Sequence, residues 1–307
     1  MREIVTGVDQ TNPAERVLGR ALAEAQSTGR ALRVVHVWSN PVWLGDMSAV
    51  SGMAYGSSLP SHEDSVRWAQ DIAEEHLTKA REQFGSSQST SGRPAVQATT
   101  EAREGEPGHV LVNASQEAGL LVVGGRGHGS LASVLLGSTT GFVMHHAACP
   151  LMIVPETVSD GPFQRVIVGF DDSACSRSAL RWGFDAARRH GCPLTVLYAL
   201  RITLAPAAIP VALISPEYKS EMHAWLDRET GQIAAEFPEV ALTTTVHNGS
   251  PAGVLLEQSG PGDLLVVGSR GRGGFAGLLL GSVAAQCSQH AKGVVVVVRG
   301  GAERLGD

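Results

Sequence analysis

Two glycine loops carry the residues of this sequence best suited to chemistry. Gly124-x2-Gly127-x9-Gly137-Ser138 and Gly268-x2-Gly271-x9-Gly281-Ser282 each follow an apolar run and open a helical stretch. A helix N-terminus presents N–H groups without intrahelical partners and a partial positive charge, which suits phosphate. Glycine lets the backbone approach an anion closely and take up positive φ. Ser138 and Ser282 are placed to cap the helix or to offer a hydroxyl to a phosphate oxygen. One such loop is equally a tight strand-to-helix turn; two retained copies, each with the distal Gly-Ser pair, favour a phosphate cradle.

Other chemistries find less support. No G-x4-G-K-[ST] occurs, so a P-loop NTPase is excluded. Gly127-His128-Gly129-x-x-Ala132 and Gly271-Arg272-Gly273-x-x-Ala276 both fit G-x-G-x-x-A, the dinucleotide fingerprint. That fingerprint belongs to the first strand–helix turn of its unit, whereas these loops follow a fourth strand, which argues against an NAD-dependent oxidoreductase. There is no H-E-x-x-H, no G-x-S-x-G and no carboxylate pair set for acid–base work. His145-His146 reads as a packed or surface pair. Cys149, Cys175, Cys192 and Cys287 are scattered, without C-x-x-C or zinc spacing, and read as buried free thiols.

The elements that must position these loops repeat along the chain. Leu120–Thr140 and Leu264–Ala284 share thirteen of twenty-one residues at an offset of 144; Gly7-Val8-Asp9 matches Gly169-Phe170-Asp171 at 162. The offset changes because the first half holds eighteen extra residues, mainly within 39–62 and 85–93. This duplication predicts two domains, 1–158 and 159–307, joined by the turn-rich Val158–Pro162. In the first half, apolar and β-branched runs predict strands at Ile4–Val8, Leu32–Val37, Val96–Thr100, Leu120–Val123 and Leu151–Val154. Helical periodicity predicts helices at Pro13–Thr28, Glu63–Phe84, Gly108–Glu117 and Ser138–His146. The second half repeats the order, with strands at Val166, Leu194, Leu242, Leu264 and Val294. Alternating strands and helices give an α/β class: two tandem doubly wound, five-stranded, mainly parallel sheets. The last strands, Leu151–Val154 and Val294–Val298, are bare apolar edges expected to pair the two halves.

Composition narrows the classes further. The 307 residues are 43% hydrophobic and 18% charged, with net charge −6, which excludes wholesale disorder and gives no pull towards nucleic acid or an anionic membrane. No apolar run is long enough for a transmembrane helix, and the start at Met1-Arg2-Glu3 shows no signal-peptide pattern, so a cytoplasmic location is expected.

The G-x2-G-x9-G-[ST] loop, with an Asp ending the first strand, resembles the universal stress protein family in its ATP-binding branch and tandem-domain form. Val168–Ser173, Gly249-Ser250-Pro251, Val267–Gly271 and His146–Pro150 all stand in that family's order. The resemblance implies the adenine nucleotide α-hydrolase-like fold and one ATP site per half. It sets Asp9 and Asp171 on the adenosine side, with Val37 and Ala199 lining the base pocket. Val123, Gly124, Gly127, Gly137, Ser138 and Thr139 would hold ribose and phosphates, as would Val267, Gly268, Gly271, Gly281, Ser282 and Val283. Arg126 and Arg270 would neutralise phosphate charge, and magnesium would accompany the triphosphate. It further implies a nucleotide-dependent stress or regulatory protein with a protein partner, two chains associating as a homodimer. A slow ATPase of the same fold is the alternative. The halves depart from each other at Gln10-Thr11 against Asp172-Ser173, Gly119 against Asp263, and Cys149-Pro150 against Lys292-Gly293.

Overall fold

A computed structural model describes residues 2–9, 13–39, 61–87, 95–125, 136–156, 158, 161–200, 216–272 and 279–300. Short β-branched runs form the strands β1 (Ile4–Val8), β2 (Leu32–Trp38), β3 (Ala98–Glu104), β4 (Leu120–Gly124) and β5 (Leu151–Val154). The second half supplies β6 (Arg165–Gly169), β7 (Leu194–Leu200), β8 (Leu242–Asn248), β9 (Asp263–Gly268) and β10 (Val294–Val298). Between them lie α1 (Pro13–Thr28), α2 (His62–Ser87), α3 (Pro107–Ala114), α4 (Ser138–His146), α5 (Ala174–His190), α6 (Pro216–Ala234), α7 (Pro251–Gln258) and α8 (Ser282–His290).

All ten strands join one sheet, ordered β3-β2-β1-β4-β5-β10-β9-β6-β7-β8. Every pairing within a half is parallel. The halves meet through one antiparallel pairing, β5 on β10, with Met152 opposite Val296. The two apolar edge runs thus cover each other, as their sequence leads one to expect.

Side-chain alternation sorts the core into two layers. Ile4, Val34, Leu120 and Val122 point to the face covered by α1, α2, α5 and α6; Val5, Val35, Leu121 and Val123 point to the face covered by α3, α4, α7 and α8. Several boundaries move from the sequence expectation. The Val96–Thr100 strand runs instead from Ala98 to Glu104, because the charged tail Glu101–Glu104 belongs to an edge strand with a wet outer side. Helix α3 is shorter than Gly108–Glu117, while α2 extends beyond Glu63–Phe84 to His62–Ser87.

Polar contacts also cross between the halves. Glu24 on α1 is wholly buried and accepts from Arg189 and His190 on α5, at 2.9 Å each. The Arg20 guanidinium lies over the Phe163 ring, 4.3 Å from its centroid. All four cysteines are buried and free. Among the described residues no helix is long and apolar enough to cross a membrane.

Candidate functional site

The candidate residues gather where the strand order reverses. In the first half β1 pairs β2 on one side and β4 on the other, and β6 stands likewise between β7 and β9. The carboxyl ends of strands at such a switch point are where ligands of doubly wound sheets bind. Asp9 comes directly after β1, and Asp171 comes after β6 with Phe170 between; Gly124 and Gly268 end β4 and β9. Val37 and Ala199, on β2 and β7, are half-buried and pack towards the layer holding Val123 and Val267.

Each glycine loop is closed at its base by the backbone. Gly137 N–H donates to the Gly125 carbonyl at 3.0 Å, and Gly281 N–H to the Ser269 carbonyl at 2.7 Å. The next strand anchors the same point, with Gly125 N–H donating to Val154 O and Ser269 N–H to Val298 O. In the first half Thr140 adds a hydroxyl bond to the Gly124 carbonyl, 2.6 Å. The need for glycine at Gly268 is steric: a Cβ there would stand 2.7 Å from the Cys175 carbonyl carbon and 2.9 Å from the Ser176 nitrogen. The first turn of α5 therefore rests directly on the end of β9.

The helices that close the loops start without side-chain caps. Gly137 and Gly281 occupy the N-cap positions of α4 and α8, and neither start has a side-chain cap bond. Ser138 and Ser282 fall one residue further on, at the first helical position, so the expected serine caps are not formed; their hydroxyls stand at the exposed rim. Thr139 and Val283 follow, half-buried. Elsewhere this chain caps with side chains: Glu106 accepts from His109 N–H on α3, Ser173 from Ser176 N–H on α5, and Ser250 from Gly253 N–H on α7.

Asp171 is tied to the second loop. Its Oδ1 accepts from the Ser173 amide at 3.1 Å and hydroxyl at 2.6 Å, and its Oδ2 accepts from the Arg272 amide at 2.9 Å. Burial alone would push this carboxyl up, but the donated hydrogen bonds outweigh it and hold the group below the usual aspartate range. Gly271 is the residue passing over that carboxylate: a Cβ would come within 2.4 Å of Oδ2. Arg270 is exposed beside it. Arg126, Gly127 and the Gln10-Thr11 departure lie outside the described residues.

Two residues missed in the sequence flank these acids. His36 on β2 is buried and donates from Nδ1 to the Val8 carbonyl at 3.0 Å; burial draws its pKa down, so the ring is neutral near pH 7. The 162 offset sets Tyr198 at the equivalent place beside Asp171, its phenol pushed up by burial. The signal available was that both directly precede Val37 and Ala199. The departure at Gly119 also has an explanation: Arg30 fills the space, so that a Cβ on Gly119 would meet Nη1 at 2.3 Å. The second half uses Asp263 there, paired with Arg165 at 3.1 Å. Among the described residues no group of three or more His, Cys, Asp or Glu side chains is set to hold a metal.

Comparison with known proteins returns one family. The universal stress protein family profile matches residues 1–155 and again 162–299. A universal stress protein of Mycolicibacterium smegmatis is 31% identical over 301 residues, covering 96% of each chain. One from Mycobacterium tuberculosis is 33% identical over 311 residues, covering 96% of this chain and 94% of the relative. Among solved structures, a universal stress protein from Archaeoglobus fulgidus superposes with a TM-score of 0.66 at 17% identity, covering 97% of this chain and 98% of its own. A functionally unknown protein from Pseudomonas aeruginosa gives 0.62 at 16% identity, covering 98% and 93%. At those identities the two structures speak for the fold alone.

Proposed function

Since the chain belongs to the universal stress protein family, we propose that it is a nucleotide-dependent regulatory protein holding one ATP in each half. The observation that carries this reading is the contrast in helix starts. Glu106, Ser173 and Ser250 cap their helices with side chains, while α4 and α8, the two that close glycine loops at the switch points, begin with bare glycine. Their first-turn N–H groups favour an anion from outside the helix.

The triphosphate would lie along Gly137–Thr139 in one half and Gly281–Val283 in the other, with Arg126, Gly127, Arg270 and Gly271 beside it. A carboxylate repels phosphate but accepts from hydroxyls, which assigns Asp9 and Asp171 to the ribose. Val37 with Val123, and Ala199 with Val267, offer apolar surface to the base. Magnesium would enter with the triphosphate and share its charge. Its remaining ligands would be phosphate oxygens and water. Asp171, held by its Ser173 and Arg272 bonds and given to the ribose, would not serve to orient an attacking water, which favours a ligand that reports occupancy over one that is turned over.

Ser138→Asp and Ser282→Asp test the cradle. A carboxylate in the first helical turn stabilises the helix by about 0.3–1 kcal/mol, yet it repels phosphate from the same N–H groups. Melting temperatures should hold or rise while calorimetric titration loses about one ATP per substitution and both in the double variant. A double variant that takes up ATP like the unaltered chain would remove the cradle.

A further inference from the structure

Arg299 belongs to the second half by its backbone and to the first by its side chain. The carbonyl before it, Val298 O, accepts from Ser269 N–H at the base of the second glycine loop, 2.7 Å. Gly300 after it lies against the start of α5, where a Cβ would stand 3.0 Å from Cys175 Sγ. The main chain at Arg299 is thus clamped into the floor of the second site. Its guanidinium crosses over, and Nη2 donates to the Met144 carbonyl at 2.9 Å. Met144 is in the last turn of α4, the helix whose first turn closes the first glycine loop. Nine residues of helix span about 13 Å, so one short rod joins this bond to the first site.

The bond suits its place. The last carbonyls of a helix lack intrahelical donors, and a cation there meets the negative end of the helix dipole. Among the described residues the brace has no reciprocal. The repeat puts Pro155 opposite Arg299 and Ser288 opposite Met144, and proline has no donor to offer α8. Burial draws the Arg299 pKa down, and the positive charge of Arg270 on the second loop adds to that effect. A phosphate paired with Arg270 would offset that repulsion and favour the crossing bond.

We infer that Arg299 is a positioning residue that couples the two sites: filling the second strengthens its hold on α4 and so tightens binding in the first. This rests on the ATP reading above. The two states are the Arg299–Met144 bond made and released, and by linkage the gain in affinity is the same in either direction.

The test uses the full chain carrying Ser138→Asp, so that only the second site takes ATP. Amide hydrogen exchange across Ser138–His146 is followed with and without ATP–magnesium, and calorimetry reports occupancy. Loading the second site should slow exchange in the last turn of α4 about five-fold. In the Arg299→Gln background ATP should still bind and the slowing should vanish. Arg299→Lys keeps the charge without the planar fork; it should show a reduced slowing and serves if the glutamine variant melts early. Equal slowing with and without Arg299, or none despite bound ATP, would overturn the coupling and leave the nucleotide reading intact. Failure of the Ser138→Asp chain to bind ATP would overturn both.

Discussion

Asp171 holds the second glycine loop by accepting from the Arg272 amide, while Ser173 fixes its other oxygen, and Gly271 leaves it the room to do so. Gly271→Ala would drive a methyl group into Oδ2 and break the bond from the Arg272 amide. A hydrogen bond to a charged group is worth about 1.5–3 kcal/mol, so urea unfolding should show a loss of that order. In an Asp171→Asn background the same change should cost clearly less, since the two residues act as a unit. Equal costs in both backgrounds would mean that Gly271 is required for some other reason. The depressed carboxyl fixes the sign of the pH effect. Asp171 contributes stability above the ordinary aspartate range, and that contribution is lost as pH falls through its lowered folded value. The glycine spacing was legible because it recurs at a constant offset. The Asp171 clasp was not, because its partner is a backbone N–H, which no residue type marks.

The ten-stranded sheet ends in two edges, β3 and β8, each met by a side chain from the helix beside it. Gln70 on α2 acts as a one-residue strand: its Oε1 accepts from Ala102 N–H at 3.1 Å and its Nε2 donates to the Thr100 carbonyl at 3.2 Å. On the other edge His223 of α6 donates from Nε2 to the Thr244 carbonyl at 2.8 Å. An unprotected edge is a template for another chain. Gln70→Ala should therefore leave the fold and nucleotide binding unchanged while producing concentration-dependent association in sedimentation velocity. Sedimentation identical to the unaltered chain at every concentration would show that the edge needs no such guard. Element by element, the continuous apolar runs such as Leu120–Val123 and Leu264–Val267 were read correctly, because both faces of those strands are buried. Strand β3 was misplaced for the opposite reason. Thr99, Glu101 and Arg103 leave no apolar alternation, and its position is set by pairing with β2 and by Gln70.

Across the molecule, Glu24 is the residue on which the contact between α1 and α5 turns. Burial would push its carboxyl up, but the His190 and Arg189 side chains more than compensate and hold it at about 2, against an ordinary 4.5. A depressed acid stabilises the folded chain above the unfolded pKa, and that contribution fades as pH falls from about 4.5 towards 2. Glu24→Gln removes one of the two carboxylates that face Arg189, leaving Asp185 at 2.9 Å, and weakens two hydrogen bonds between charged groups, so it should cost about 1.5–3 kcal/mol at pH 7. The gap in urea midpoint between the two chains should narrow steadily below pH 4.5. A gap constant down to pH 3 would place the stabilisation outside the carboxylate's charge. This cluster could not be read from the sequence, since Glu24 and Arg189 stand 165 positions apart and in different halves.

The register of β5 on β10 carries a consequence of its own. Met152 faces Val296, its own counterpart at the 144 offset, and Arg189 touches Ser27, its own counterpart at 162. Both pairs therefore lie on an approximate two-fold axis. In a true homodimer such an axis would demand every off-axis contact twice. Here Ala186 stands where Glu24 would be repeated, and Ser27 where Arg189 would be. Two copies of the first half, docked in the same way, would bury Glu24 against a serine. Two copies of the second would set Arg189 against an alanine. Both like-with-like pairings lose the Glu24–Arg189 bond, and although Arg189 keeps Asp185 of its own helix, Glu24 would be buried without either of its cations, so the surface of each half is complementary to its unlike twin and not to itself.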